Sequence, residues 1–436
     1  MNIGNELRKV VRGTVLTAGD DGFDNARRPW NLAVDQQVRA VVDAADADDV
    51  AALVRHARLA GLTIATQPSG HGATGNVDDV VLLRTTRLDE LDVRPQERLA
   101  CVGAGVKWGQ VMTAASAYGL TGLAGSSPAV TVTGYTLGGG LSWFGRKHGF
   151  ASDSVRAFDI VDTDGVRSRV TAASDPDLFW ALRGGGGDFA IVTAIEFDLH
   201  PAPKLYGGRV MWTADKARAA LAAYREITDS APPELTAWYE LLHFPGAAPL
   251  VAVDCTFLGD GGEAETLLRA LDKVDGRISD SRGMLPVAEL GSITAEPTDP
   301  GPGQSRAELL TGLPDDVCET LLAEPIAPLL SVQLRHLGGA LAQPSDSAAG
   351  GLSEPFALYM FGIPGNTDGG AAVRGRQHDI ATAVSPYTSG RKPFTFLVPG
   401  ERAANAFSGA AIARLRELKR DRDPAGVLRS NFPVLS

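Results

Sequence analysis

The sequence predicts an α+β protein in two parts, the second of which carries a large antiparallel sheet backed by helices. Three observations predict this fold class. The chain begins with a β-α-β pattern, glycine clusters recur before residue 203, and strands of two-residue periodicity alternate with helical patterns over 205–388. Because 436 residues exceed one ordinary hydrophobic core, we expect domains over 1–203 and 204–394, with 395–436 returning to the first domain.

Composition narrows the class of protein. Apolar residues make up 44% of the chain and charged residues 21%, which is typical of a soluble globular protein. Lysine and arginine number 41 against 52 acidic residues, a net charge of −11, so nucleic-acid binding is not expected. The widely spaced Cys101, Cys255 and Cys318 predict neither a disulfide framework nor a zinc site.

Targeting patterns are not seen in the sequence. Residues 1–6 carry no basic stretch followed by an apolar one, and no later run reaches the roughly 18 apolar residues of a membrane span. We therefore expect a cytoplasmic protein that does not contact a membrane and that is a monomer or a homodimer.

The first part opens with a strand at 39–42, a helix and a second strand. Asp46 supplies an N-cap, and Val50, Leu53 and Val54 follow at helical spacing until Gly61 ends the helix. The apolar run 62–66 then predicts a buried strand. It leads directly into a glycine-rich loop.

This loop, residues 67–75, has one histidine at its centre. Its sequence is Gln67-Pro68-Ser69-Gly70-His71-Gly72-Ala73-Thr74-Gly75. Glycines permit backbone conformations closed to other residues, so the loop can wrap closely around a ligand. The spacings of dinucleotide-binding and P-loop motifs are absent, and a plain surface turn is an equally good interpretation of the loop alone.

Further glycine clusters follow at 103–105, 122–140 and 184–187. Consecutive glycines in ordered structure cost conformational entropy, and they are retained where a ligand or another stretch of backbone lies against them. Between the clusters, 155–161 and 166–170 predict a hairpin around Asp162-Thr163-Asp164-Gly165, and Asp175 caps a short helix.

The second part predicts an antiparallel sheet with helices. Strands are expected at Thr236–Phe244, Leu250–Leu258 and Phe356–Gly362, and helices at Lys216–Thr228 and Glu263–Val274. A last helix is expected over Ala403–Lys419, in the returning segment.

Taken together, these segments resemble the covalent-flavin oxidoreductases of the berberine-bridge-enzyme type, in the vanillyl-alcohol-oxidase and para-cresol-methylhydroxylase superfamily. The resemblance covers nearly the whole chain. Its motifs occur in the family's order, namely Trp30-Asn31, Gly70-His71, Gly103 to Trp108, Thr136 to Gly140, Asp175 to Gly186, Arg335 to Ala340 and Asp423 to Asn431. The resemblance implies a two-part FAD-binding domain of the para-cresol-methylhydroxylase type and a substrate domain.

The resemblance also implies how FAD is held. The loop 67–75 would lie against the pyrophosphate, and His71 would be bonded to the flavin 8α-methyl group. Ser127 stands where many members carry a second linking cysteine, so we expect a single covalent bond, as in the bacterial hydroxynicotine-oxidase-like branch. Tyr135 stands where doubly linked members often carry histidine. The expected FAD-binding residues are Pro68, Ser69, Gly70, His71, Gly72, Gly75, Gly105, Gly125, Ser126, Ser127, Thr133, Tyr135, Gly138, Gly139, Gly187, Val192 and Asn431.

The loop departs from the family in one respect. Members usually have Arg-Gly-Gly or Arg-Ser-Gly before the Gly-His pair, and this chain has Gln67-Pro68-Ser69. One positive charge and one backbone donor are therefore missing from the expected pyrophosphate contacts.

The strand around residue 240 supplies candidate bases for the reaction. Two-residue periodicity places Tyr239 and His243 on one face and Trp238 and Glu240 on the other. Tyr239, His243 or Glu240 could take a proton from the substrate, or each could be an ordinary packing or surface residue. The tyrosines that sugar and polyketide oxidases of the family carry are replaced here by Leu141 and by the segment 393–396.

Three functions stay open. The first is an FAD-dependent oxidase that takes a hydride from a small or medium, largely hydrophobic substrate of the secondary-metabolite, amine or alcohol type and passes electrons to O2. The second is a cyclase or lyase that keeps FAD as a scaffold, and the third is an inactive flavin or ligand binder. We expect His148, His200, His336 and His378 to be structural or exposed.

Overall fold

The computed structural model describes residues 3–365 and 367–436 of the chain. Met1 and Asn2, at the start of the segment inspected for a leader, lie outside the described residues. Within the described part of the chain, no helix is both long and apolar enough to cross a membrane.

A four-stranded sheet forms the start of the protein and ends at the glycine-rich loop. Its strands are β1 (Thr14–Leu16), β2 (Ala40–Asp43), β3 (Ile64–Thr66) and β4 (Val81–Arg84), in the order β1-β2-β4-β3. Strands β2 and β3 run parallel to β4, and helix α3 (Ala47–Ala60) connects them. The Asp46 carboxylate accepts hydrogen bonds from the backbone of Asp48 and Asp49 at the start of α3, and Gly61 ends the helix at φ 64°. The predicted β-α-β beginning is confirmed.

A five-stranded antiparallel sheet follows. The strands over 91–201 are β5 (Leu91–Arg94), β6 (Leu99–Gly103), β7 (Leu120–Thr121), β8 (Val155–Val161), β9 (Arg167–Val170), β10 (Ile191–Asp198) and β11 (His200–Pro201). The sheet order is β5-β6-β10-β8-β9, while β7 pairs with β11. The predicted hairpin is the β8–β9 pair, whose turn is closed by the Gly165 N–H donating to the Asp162 carbonyl at 3.1 Å.

An eight-stranded antiparallel sheet dominates the second part, as the sequence predicts. Its strands are β12 (Tyr206–Thr213), β13 (Leu235–Leu242), β14 (Leu250–Phe257), β15 (Ser279–Asp280), β16 (Gly283–Met284), β17 (Gln304–Leu310), β18 (Ser331–His336) and β19 (Phe356–Gly362). The order is β15-β12-β14-β13-β18-β19-β17, with β16 also paired to β12.

The helices pack beside these sheets. They are α1 (Ile3–Val10), α2 (Phe23–Ala26), α3, α4 (Trp108–Ser116), α5 (Val132–Leu137), α6 (Gly145–His148), α7 (Pro176–Leu182), α8 (Ala217–Ser230), α9 (Gly261–Asp272), α10 (Asp315–Leu322), α11 (Thr367–Ala383) and α12 (Gly409–Arg422). Helices α8 to α11 cover one face of the large sheet and share its hydrophobic core. The predicted C-terminal helix begins at Gly409 rather than Ala403, because 403–405 form a separate 3₁₀ turn.

The other face of the large sheet carries polar and aromatic residues in register. Cross-strand partners share a face of a sheet. One row contains Arg209, Asp254, Trp238 and Arg335, and the next contains Glu240, Gln333 and Tyr359. We call these seven residues the polar face.

Arg146 on α6 joins the first part of the chain to the large sheet. Its guanidinium is buried and donates to the carbonyls of Leu235 at 2.8 Å and Ala231 at 3.0 Å, and to that of Leu337. Its Nη1 also lies 2.8 Å from His336 Nε2. Burial lowers the pKa of Arg146 to about 10, so it stays charged near neutral pH. It binds the start of β13 and the end of β18, which are neighbours in the antiparallel pair.

The C-terminal segment returns to the first sheet. Leu428 bridges to Ile64 of β3, and the Ile64 N–H donates to the Val427 carbonyl at 2.7 Å. Lys419 of α12 is buried and donates to the Asp188 carbonyl at 2.7 Å, the Asp423 carboxylate at 2.8 Å and the Leu428 carbonyl at 2.9 Å. These contacts place the chain's last residues beside the loop 67–75. The domain boundaries expected from the sequence stay predictions.

Candidate flavin and substrate site

The loop 67–75 is held between the N-terminal and C-terminal segments of the chain. The Trp30 N–H donates to the Ser69 carbonyl at 2.9 Å. On the other side, the Asn431 side-chain amide donates to the Gly72 carbonyl at 2.7 Å, and the Thr74 hydroxyl donates to the Asn431 carbonyl at 3.2 Å. The predicted tail residue Asn431 is therefore brought directly to the predicted loop.

His71 has one occupied and one free ring nitrogen. Its ring stacks on Trp30 with centroids 4.1 Å apart and planes 15° apart, and its Nδ1 lies 3.0 Å from the Ser69 hydroxyl. Nε2 is buried and has no hydrogen-bond partner among the described residues. Burial, aided by the nearby Lys107 charge, lowers the pKa of His71 to about 4. The imidazole is therefore neutral at physiological pH, with Nε2 available for a bond.

A buried arginine lies against Gln67, at the position where the loop departs from the family. Arg84 Nη1 donates to the Gln67 carbonyl at 3.0 Å and to its side-chain oxygen at 2.9 Å. Burial lowers the pKa of Arg84 to about 10, which leaves it charged at neutral pH. A positive charge is therefore present beside the loop, although it comes from β4 rather than from residue 67. Pro68, the next residue, is half-buried in the same turn.

The glycines expected to contact FAD separate into two groups. A Cβ added at Gly105 would lie 2.4 Å from the Thr85 carbonyl oxygen, so this glycine is needed for packing of chain on chain. Gly70 is of the same kind, with φ 87° and Pro29 at 2.8 Å from the added Cβ. At Gly187 an added Cβ meets no atom within 4 Å, and at Gly72 it meets only the Asn431 amide at 3.9 Å. Gly72 and Gly187 leave room for a ligand.

This difference predicts opposite results for two alanine substitutions. Gly105→Ala is expected to lower the free energy of unfolding by roughly 1–3 kcal/mol, because the methyl group would overlap backbone atoms. Gly187→Ala is expected to leave the thermal midpoint of flavin-free protein nearly unchanged and to reduce the amount of FAD retained. Thermal unfolding and the ratio of flavin to protein absorbance measure the two effects. Equal loss of FAD and of stability in both variants would contradict the assignment of Gly187.

The side chain of Tyr135 fills the space beside the glycine cluster 122–140. Tyr135 of α5 packs against Gly125 and Gly140, and its ring lies edge-on to Trp108 at 5.6 Å. The hydroxyls of Tyr135 and Thr133 are buried without hydrogen-bond partners among the described residues. Burial raises the pKa of Tyr135 well above its usual value, against the opposing charge of Arg335. Tyr135 is therefore a neutral hydrogen-bond donor beside these glycines.

The remaining predicted FAD-binding residues lie in several elements of the fold. Ser127 accepts a hydrogen bond from the Ala129 N–H at 3.4 Å, and the Ser126 carbonyl lies 3.7 Å from a Cβ added at Gly291. Val192 is buried in β10. Three predicted residues contact the elements beside them: Gly75 has φ 79° beside Asp35, Gly138 lies beside Phe394, and Gly139 lies beside Phe150.

The polar face of the large sheet lies opposite these glycines. Trp238 stacks on Trp143 with ring centroids 3.7 Å apart, which joins the sheet to the segment after the triple glycine. Phe394, which would contact a Cβ at Gly138 or Gly186, begins the turn that carries Phe396 against Tyr359. The glycines around residue 138 and the polar face are thus connected through shared aromatic neighbours.

A buried carboxylate pair lies within the polar face. Arg209 donates two hydrogen bonds of 2.6 Å to Asp254 and one of 3.0 Å to Glu240 Oε2. Both carboxylates are almost fully enclosed, with exposures of 0% and 2%. Burial and the neighbouring Asp254 raise the pKa of Glu240 to about 8, against the opposing charges of Arg209 and Arg335. One arginine neutralises Asp254, and the pair keeps a proton on Glu240 at neutral pH.

Two of the three candidate bases are not brought to the polar face. Tyr239 faces the helices, where its hydroxyl donates to the Ala217 carbonyl at 3.0 Å, and burial raises its pKa far above neutrality. His243 follows the last residue of β13, and its backbone N–H donates to the Leu330 carbonyl at 2.9 Å. Tyr239 is therefore corrected to a packing residue and His243 to a position beyond the strand, and Glu240 alone stays in place.

Other residues of the polar face were not anticipated as site residues. They are Arg209, Trp238, Asp254, Gln333, Arg335 and Tyr359. The two-residue alternation places Trp238 beside Glu240, and Arg335 lies within a family-like motif. The rest required the register of the sheet, which brings residues more than 100 positions apart into one row.

The geometry fits an FAD group. His71 offers a buried, unpartnered Nε2, Tyr135 and Thr133 offer buried unpartnered hydroxyls, and Gly72 and Gly187 leave space that a side chain would fill. Arg84 supplies the positive charge near the loop expected at the pyrophosphate.

Comparisons with known proteins agree with this fit. The family model of the FAD binding domain matches residues 38–171. The chain is 25% identical to (R)-6-hydroxynicotine oxidase of Paenarthrobacter nicotinovorans over 452 residues, which cover 97% of each protein. It is 26% identical to the FAD-linked oxidoreductase iacH of Pestalotiopsis fici over 308 residues, which cover 68% of this chain and 60% of that protein.

Solved structures share the architecture. The BBE-like 1 protein of Physcomitrella patens superposes with a TM-score of 0.86 at 19% identity, covering 98% of both chains. At this identity the similarity concerns the fold, and it confirms the predicted architecture with a large antiparallel sheet. The chain therefore contains an FAD binding domain and is an FAD-linked oxidoreductase, similar in sequence to (R)-6-hydroxynicotine oxidase and in fold to BBE-like 1.

Proposed function

We propose that this FAD-dependent oxidoreductase takes a hydride from a small or medium, largely hydrophobic substrate and passes the electrons to O2. The observation that carries the proposal is the region between the glycine clusters and the polar face. It is bordered by Tyr135 and by the rings of Trp238, Tyr359 and Phe396. An aromatic border of this kind suits a hydrophobic molecule whose reacting C–H bond is kept away from water.

The cofactor is proposed to be held by one covalent bond through His71 Nε2. When bound, FAD supplies the hydride acceptor of the reaction. The Trp30 ring and the Ser69 hydroxyl fix the imidazole plane, and its neutral state leaves the Nε2 lone pair free. Ser127 provides no thiol for a second bond. In this proposal, residues 1–203 and 395–436 hold FAD and residues 204–394 bind the substrate.

The chain's own residues favour a reaction that needs little help from a base. Glu240 already holds a proton and is bonded to Arg209, so it is a poor proton acceptor at neutral pH. Leu141 and Phe394 to Phe396 stand where family oxidases of sugars and polyketides carry tyrosines. An amine substrate, which can be deprotonated by solvent before binding, suits this border better than an alcohol.

Anaerobic reduction of the flavin tests the proposal. The purified protein, kept free of oxygen, is mixed with a panel of aromatic amines, nitrogen heterocycles, alcohols and sugars while the flavin absorbance is followed. Bleaching by at least one amine or heterocycle, with return of the colour on admission of air, is expected. Absence of bleaching with every compound, in protein that carries flavin, would contradict the oxidase proposal.

A second candidate is a cyclase or lyase that uses FAD as a scaffold. The replacement of both tyrosines and the retention of a protonated Glu240 favour acid-assisted chemistry without net oxidation. Turnover that continues while the flavin is held reduced would select this candidate over the oxidase.

A further inference from the structure

Arg335 occupies an aromatic enclosure on the polar face. Its guanidinium carbon lies 4.0 Å from the ring centroid of Trp238, 4.6 Å from that of Tyr359 and 5.3 Å from that of Phe396. Three aromatic rings stabilise a cation by their quadrupoles, and they also fix the plane of the guanidinium. Arg335 is half-buried, so its charge is partly removed from bulk water.

One edge of this guanidinium is occupied and the other is free. Gln333 accepts hydrogen bonds from Arg335 Nε at 2.9 Å and from Nη2 at 2.6 Å. Arginine has five N–H donors in a fixed plane. The bonds to Gln333 use the side edge, which leaves the end edge, formed by Nη1 and the second hydrogen of Nη2, without a partner among the described residues. Two parallel N–H groups match the two oxygens of a carboxylate.

The charge of Arg335 is not balanced by its neighbours. Within the described part of the chain, Arg335 forms no ion pair. Asp254 is neutralised by the two bonds from Arg209, and Glu240 shares a proton with it rather than carrying a second negative charge. Glu296 is the other carboxylate whose charge reaches Arg209, Asp254 and Tyr359. Arg335 is therefore a cation of the polar face that has no carboxylate paired with it among the described residues.

Arg335 also borders the region assigned to the substrate. Its charge acts on the Tyr135 phenol, which lies against the triple glycine. The rings around it come from β13, β19 and the turn at 394–396, and that turn contacts Gly138 and Gly186. The free edge of the Arg335 guanidinium thus lies on the part of the sheet that is nearest the glycines expected to contact FAD.

We propose that Arg335 binds a carboxylate of the substrate, so that the substrates of this protein are planar, hydrophobic amines or nitrogen heterocycles that also carry a carboxylic acid. This assignment rests on the proposed function, because it places the ligand in the proposed substrate region. The end edge of the guanidinium fixes the carboxylate by two parallel hydrogen bonds, and the aromatic rings pack against the hydrophobic part of the molecule. The carboxylate supplies the ion-pair partner that Arg335 lacks among the described residues.

Binding of benzoate and benzamide to the holoenzyme tests this assignment. The two probes have nearly the same shape and differ in charge. Flavin difference spectra and titration calorimetry give the dissociation constants at low and at raised salt. We expect benzoate to bind at least about tenfold more tightly than benzamide, and this preference to shrink as salt rises.

Three variants separate charge from folding. Arg335→Gln is expected to weaken benzoate binding about tenfold or more while changing benzamide binding less than about twofold, and Arg335→Lys is expected to restore part of the preference. Arg306→Gln removes a cation from the same sheet whose side chain pairs with Glu308, and it is expected to leave both constants unchanged. Thermal unfolding and flavin content verify that each variant is folded.

Two results would overturn the assignment. The first is equal binding of benzoate and benzamide to the wild-type protein. The second is an Arg335→Gln variant that keeps the benzoate preference. If its ligand-free flavin spectrum is also shifted, the arginine serves the flavin instead. If either result is found while compounds of the amine panel still reduce the flavin, the carboxylate assignment is wrong but the oxidase proposal is unaffected. Protein without flavin would instead contradict the proposed function, and calorimetry would still measure the benzoate preference.

Discussion

Replacing His71 with alanine is expected to abolish the covalent attachment of flavin completely. Nε2 of His71 is the free nitrogen of a neutral imidazole held by Trp30 and Ser69, and Ser127 offers no second link. After acid precipitation, wild-type protein should give a yellow pellet, and the His71→Ala variant a colourless pellet with any flavin in the supernatant. Mass spectrometry of the peptide that contains residue 71 should show the added mass of FAD in the wild type only.

The exposed His378 provides a matched control. His378→Ala removes an imidazole from the surface of α11 and is expected to leave the pellet yellow. Release of all the flavin from wild-type protein by acid would show that the bond does not form. A yellow His71→Ala pellet would show that another residue forms it.

Replacing Lys419 with methionine is expected to have the largest effect on folding. Its ammonium group bonds three oxygens and lies between the buried carboxylates of Asp188 and Asp423. Removing one partner of a buried ion pair costs about 3–5 kcal/mol, because the remaining charge is left uncompensated. The free energy of unfolding, measured with urea, should fall by about that amount.

The same substitution, Lys419→Met, should also weaken flavin binding. Asp188 accepts hydrogen bonds from the backbone of Ser430 and Val434, and Asn431 between them bonds the Gly72 carbonyl. Arg420→Met removes a charge from an exposed position of the same helix, and it should change stability by less than about 0.5 kcal/mol. A Lys419→Met variant as stable as Arg420→Met would show that the cluster does not support the C-terminal segment.

Patterns confined to one segment predicted the fold well. The N-cap at Asp46, the hairpin turn at 162–165 and the strand Phe356–Gly362 all act through neighbouring residues, and each is found where it was expected. Helix α5 (Val132–Leu137) was read as part of a glycine cluster, because Gly134 and the glycines that follow disfavour helix. Its first turn is fixed by a long-range bond from the Val132 N–H to the Val106 carbonyl.

The polar face shows why the substrate side could not be predicted as fully. All eight residues of β13 are buried, so hydrophobicity does not distinguish the face that packs on helices from the face that borders the site. The two-residue periodicity places Tyr239 and Glu240 on opposite faces of the strand, but it does not say which of the two faces packs on helices. Arg209, Asp254 and Arg335 become neighbours through strand pairing, which depends on the order of strands in the finished sheet.

The contacts of Arg146 limit how substrates can enter. Swinging the large sheet away from the first part of the chain would break its hydrogen bonds to the carbonyls of Ala231, Leu235 and Leu337 and leave a desolvated cation. These contacts oppose a hinge motion between the two parts, so we expect substrate to enter the proposed site through movements of side chains and loops at its rim. A substrate of the proposed site is therefore expected to be selected by its fit to walls that are already in place.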